Sequence, residues 1–108
     1  MRPALPAILA TLLSTAIPAL AASPEWMAED CATAAQSFFQ EFEARTEMKY
    51  EGQRTDGTHA MNGTIYLENS SSDIQCSYDS EGTTMVDFVA DGESWPDFAK
   101  GGKSPYMD

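Results

Sequence analysis

The chain has 108 residues, with 17 acidic against six basic side chains and a formal charge of −11 at pH 7. So acidic a balance argues against nucleic acid and anionic membrane surfaces as partners, because phosphate recognition needs clustered Lys and Arg. It favours cationic partners, and quite apart from any partner it keeps a small protein soluble.

The first 21 residues read as a secretory signal peptide. Arg2 supplies the basic start, Ala4 to Leu20 is an uncharged apolar run, and Ala19-x-Ala21 places small residues at a cleavage point after Ala21. Pro3, Pro6 and Pro18 interrupt the run, which argues against a membrane anchor. Cys31 stands too far from the cut for a lipoprotein, so the expected product is exported to the periplasm or the cell exterior with no membrane attachment. Residues 22–108 then carry five basic against 17 acidic side chains, a net −12 with His59 neutral, and suffice for one core. They divide into an α+β domain over 22–90 and an irregular C-terminal tail over 91–108.

The first structural element is a predicted amphipathic helix from Ser23 to Ala44. Ser23 suits the N-cap and Pro24 the first helical position. Glu25, Glu29 and Asp30 put negative charge near the positive end of the helix dipole. Met27, Cys31, Ala34, Ala35, Phe38 and Phe42 recur at three- and four-residue spacing as one apolar stripe. After Arg45 the pattern alternates, and four strands are expected. Thr46 to Arg54 places Met48 and Tyr50 against Glu47, Lys49 and Glu51; Asp56-Gly57 signals a hairpin. Thr58 to Glu68 follows, with Asn62-Gly63 reading as a bulge or a bend, then a polar loop at 69–73. Ile74 to Asp79 turns Ile74, Cys76 and Tyr78 to one face, and Thr83 to Ala90 is expected to point Val86 and Phe88 inward and Asp87 outward.

Connections this short make the strands antiparallel neighbours. The expected architecture is thus one N-terminal helix packed on a four-stranded antiparallel meander. Cys31 and Cys76 are the only cysteines, and an oxidising compartment pairs them in a single helix-to-strand disulfide. In the tail, Trp95 and Phe98 have two readings: they cover an end of the core, or they form an exposed binding segment. Together with Asp87 and Asp91 they are the candidate interaction residues.

No catalytic site is predicted. His59 is the only histidine, no G-x-S-x-G elbow occurs, and a bonded cysteine pair offers no thiolate. Carboxylates are plentiful but read as a solvated surface, since a domain this small has little room for a glycosidase cleft. The acidic turns at Asp79 and Asp91 do not extend into an EF-hand, two thiols with one histidine do not make a zinc site, and Gly101-Gly102-Lys103-Ser104 lacks the first glycine of a phosphate-binding loop. Neither metal nor cofactor is expected.

The order of a signal peptide, Cys31-x-x-Ala34-Ala35 in the helix, the Asp56-Gly57 turn, and Gln75-Cys76-x-Tyr78-Asp79-x-x-Gly82 resembles small exported bacterial proteins of unknown function. The resemblance implies a periplasmic location and no particular activity. The small periplasmic lysozyme inhibitors share the same general character, but the Ser-Gly-x-x-Tyr and Trp-x-Lys-Gly segments of their membrane-associated type do not occur here. The expected role is a non-enzymatic binding module for a cationic partner. Inhibition of a cationic secreted enzyme such as lysozyme is the alternative, and a small hydrolase using His59 or a carboxylate pair is the third.

Overall fold

The structure, a computed structural model, describes residues 22–108; the signal peptide expected over 1–21 lies outside the described residues. The elements run α1 (Pro24–Phe39), β1 (Arg45–Gln53), β2 (His59–Tyr66), β3 (Ser71–Tyr78), β4 (Met85–Ala90), β5 (Glu93–Ser94) and α2 (Pro96–Ala99). The strands form one antiparallel sheet in the order β1-β2-β3-β4-β5, with α1 packed across the inner faces of β1, β2 and β3. The fold is α+β, with five strands where four were expected.

Helix α1 begins as its sequence dictates. The Ser23 hydroxyl accepts a hydrogen bond from the Trp26 amide at 3.0 Å, and Pro24 opens the first turn. Its end comes earlier than the apolar stripe suggests. Gln40 adopts the left-handed conformation with φ 59°, its amide closes onto the Gln36 and Ser37 carbonyls, and its own side chain donates to the Ser37 carbonyl at 2.6 Å. The Gln36 amide then reaches forward to the Ala44 carbonyl at 2.9 Å and holds the turn into β1. Phe42, expected on the buried stripe, is consequently carried outside and is 61 % exposed.

Met27, Cys31, Ala35 and Phe38 keep their spacing and are buried. They meet Met61, Ile65, Ile74, Cys76, Tyr78, Met85, Phe88 and Ala90 from the sheet. Cys31 and Cys76 are bonded, with their Cα atoms 6.0 Å apart, and both are fully buried. The pairing read from the two cysteines is therefore present as a helix-to-strand staple.

Two local expectations change. The alternation predicts Val86 inward beside Phe88, but the β3–β4 register slips between Ser77 and Tyr78, which pair with Asp87 and Met85. Val86 becomes the extra residue of a bulge, and Met85 takes the buried position instead. At Asn62-Gly63 no bulge or bend occurs, since Gly63 pairs in register with Met48 on one side and Ile74 on the other. The glycine serves close approach: a Cβ there would collide with the Glu47 carbonyl and the Met48 sulfur. Gly63→Ala is expected to lower stability by about 1–3 kcal/mol through overpacking, as read from the midpoint of urea unfolding.

The segment over 91–108, expected to be irregular, supplies β5 and α2. Asp91 (φ 52°) and Gly92 (φ 86°) both have positive φ, and Ala90 pairs with Glu93 across them. That is a two-residue hairpin of the kind an Asp-Gly pair favours. Phe38 is the hub on which the segment closes, with the rings of Trp95, Phe98 and Tyr106 at 5.3, 5.1 and 5.7 Å. The buried Ser104 hydroxyl donates to the Phe38 carbonyl at 2.7 Å and fixes the last turn.

Candidate functional site

The residues singled out for interaction are all engaged within the domain. Trp95 is half-buried, and its amide donates to the Phe88 carbonyl at 2.6 Å. Phe98 lies 5.0 Å from the Phe88 ring and 5.1 Å from the Phe38 ring, at the end of the core. The Asp87 carboxylate accepts the Ser94 hydroxyl at 2.6 and 2.8 Å and ties β4 to β5. Asp91 accepts from the Ser72 hydroxyl at 2.8 Å and from the Asp73 amide at 3.0 Å, joining the hairpin turn to β3.

The other chemistry-bearing groups are likewise in use. His59 Nε2 lies 3.0 Å from the Ser80 carbonyl oxygen, which can only accept, so that nitrogen carries the proton. Its Nδ1 then accepts from the Tyr50 hydroxyl at 2.7 Å. Asp79 accepts from the Thr83 and Thr84 amides at 3.0 and 3.3 Å, and these bonds, Thr83's first, hold its carboxyl below the ordinary range. Among the described residues no three His, Cys, Asp or Glu side chains gather as a metal cluster. No helix there is long and apolar enough to cross a membrane.

Two open depressions among the described residues stand out by volume. The first, about 690 Å³, runs between α1 and the C-terminal segment and is lined by Trp26, Asp30, Met85, Phe98, Lys103 and Met107. At its margin the Tyr78 hydroxyl donates to Asp30 at 2.8 Å. Burial, with the adjoining Asp30 carboxylate, pushes the Tyr78 phenol well above its ordinary value and keeps it a neutral donor.

The second, about 730 Å³, lies where the turn after α1 meets the β2–β3 hairpin and is lined chiefly by Glu41, Phe42, Glu43, Leu67 and Glu68. It exists because α1 stops at Phe39 and because Arg45 pairs with Tyr66, which brings the two loops to one end of the sheet. Arg45 forms one wall, its guanidinium stacked 3.9 Å from the Tyr66 ring centroid and bonded to Glu47 at 3.3 Å. Tyr66 donates to Glu47 at 2.6 Å, which pushes its phenol above the ordinary value. The cleft's one cation is thus already neutralised by Glu47. What faces outward is an exposed phenyl ring between three carboxylates, an arrangement suited to a surface that offers both basic and apolar groups. Sequence periodicity missed it by assigning Phe42 to the core; the signal available was Gln40, whose long amide can cap the preceding turn.

Comparison with protein families, with curated proteins and with solved structures returns no match.

Proposed function

We propose that this protein is a small exported, non-enzymatic binding module that receives a cationic protein partner at the Phe42 cleft. The observation that carries the reading is Phe42 itself, 61 % exposed and flanked by Glu41, Glu43 and Glu68. An isolated exposed ring is unremarkable, but one set in an acidic concavity on a strongly acidic chain matches the aromatic anchor and charged rim of a protein interface. The charge of the remaining surface steers basic partners towards it. Export is supported by the signal-peptide pattern of the first 21 residues together with a buried, formed disulfide.

The test is a binding titration against a basic secreted protein, with lysozyme as probe, at low and at physiological ionic strength. Binding is expected to weaken with salt, and Phe42→Ser combined with Glu41→Gln and Glu43→Gln is expected to weaken it at least tenfold, about 1.4 kcal/mol. Following lysozyme turnover in the same titration separates simple binding from inhibition. Binding equal to that of an unrelated acidic domain of the same charge, or unaffected by the triple change, would remove the proposal.

A further inference from the structure

The two edges of the sheet are unlike. β5 is two residues long, whereas β1 is nine residues long and pairs only with β2. The Glu47 carbonyl abuts Gly63 on β2, so the neighbouring residues Thr46, Met48 and Tyr50 turn their amides and carbonyls to the other side. Among the described residues no backbone group outside β2 bonds to this stretch. Such a row is a template for strand addition, and edge strands are ordinarily blunted against it, often by lysines that repel a second copy.

The charges of β1 do not repel a second copy. Its outward side chains run Arg45, Glu47, Lys49, Glu51, all exposed. The only ion pair among the described residues is that between Arg45 and Glu47, which leaves Lys49 and Glu51 without an intramolecular partner. If two copies of β1 lie antiparallel with Met48 opposite Met48, Glu47 faces Lys49 on both sides of the two-fold axis, and the bulge at Glu51, between Tyr50 and Gly52, ends the regular stretch of the strand beyond them. Both facing charge pairs, Glu47 with Lys49 on either side of the axis, are then of opposite sign. Sliding the pairing by two residues in either direction opposes Lys49 to Lys49 or Glu47 to Glu47, and a slip of one residue puts the apolar face of one copy beside the charged face of the other. In the complementary register the outward-turned backbones of Thr46, Met48 and Tyr50 form the hydrogen-bonded pairs. The charged residues fall at the non-bonded positions, where Cα atoms approach to about 4.5 Å and side chains interact most closely.

We propose that β1 is a homodimerisation edge, pairing antiparallel with β1 of a second copy about Met48 to make one continuous sheet. The two-fold axis stands perpendicular to the sheet, so both α1 helices lie on one side and the charged faces join on the other.

The test is sedimentation velocity of the purified protein over a wide concentration range at about 0.15 M salt, which screens the net repulsion between two acidic copies. A concentration-dependent dimer is expected. Lys49→Glu, which sets carboxylate against carboxylate on both sides of the axis, is expected to weaken it at least tenfold. The exchange Glu47→Lys with Lys49→Glu restores opposite charges and is expected to restore the dimer. Lys103→Glu makes the same change in net charge far from the edge and is expected to leave association unaltered. A monomer at every concentration, or a dimer indifferent to Lys49→Glu, would overturn the proposal.

Discussion

Replacing Cys31 and Cys76 together by alanine is expected to cost about 4 kcal/mol, as the disulfide closes a loop of 45 residues whose freedom in the unfolded chain is restored when the bond is lost. Domains of this size have roughly 5–15 kcal/mol in all, so the variant should retain only a small margin. The melting temperature should fall by on the order of 20 °C, measured by circular dichroism in parallel with the oxidised parent. Reduction should be slow under native conditions, because both sulfurs are fully buried and a thiolate reaches them only when α1 lifts from β3. A melting temperature unchanged by the double substitution would show that the staple holds nothing the core does not already hold.

Phe38→Ala should be the most damaging single core substitution, with an expected loss of about 3–5 kcal/mol. Phe38 is 2 % exposed and touches the rings of Phe39, Phe88, Trp95, Phe98 and Tyr106. Its truncation removes a side chain that α1, β4 and the C-terminal segment share. Two signals should move together: the urea midpoint should fall, and Trp95 emission should shift to the red as the segment over 95–106 loosens from the core. If emission stayed put while stability fell, the segment would be held by α2 against β4 and by the Ser104 bond to the Phe38 carbonyl, not by the ring.

Much of the fold was legible because local rules and global packing agree along most of the chain. Ser23 and Pro24 mark the start of α1 by chemistry that acts within one turn. Ile74, Cys76 and Tyr78 alternate on β3 and are all buried, as their period requires. The misjudged places are those where two local signals compete. Phe42 continues the helical spacing, but Gln40 ends the helix before that spacing is used. Val86 and Phe88 alternate correctly, yet the bulge opposite Tyr78 resets the phase and gives the buried position to Met85. Asp91-Gly92 is the same dipeptide that signals a hairpin at Asp56-Gly57, and the reading of 91–108 as an irregular tail passes over it.

The interaction candidates Trp95 and Phe98 stand out in the sequence as large aromatics of the tail, with the acidic Asp87 and Asp91 beside them, and the structure spends each on an intramolecular contact. The two exposed features proposed to bind, the Phe42 cleft and the free edge of β1, carry no such signal in the sequence. Each depends on what lies beside it in space.

The sequence by itself determined the α+β class, the buried stripe of α1, the meander order and the cysteine pairing, because periodicity, short connections and a single possible disulfide leave few alternatives. Only the tertiary structure decided which face of each residue is free. Exposure is a property of neighbours: Phe42 is outside because α1 stops two residues short of Glu41, and Trp95 is half-buried because Phe38 waits beneath it. The backbone of Met48 faces solvent because sheet pairing ends at β1. None of those neighbours is local in the chain, which is why the surface, and the binding roles proposed for it, became visible only once the core had closed.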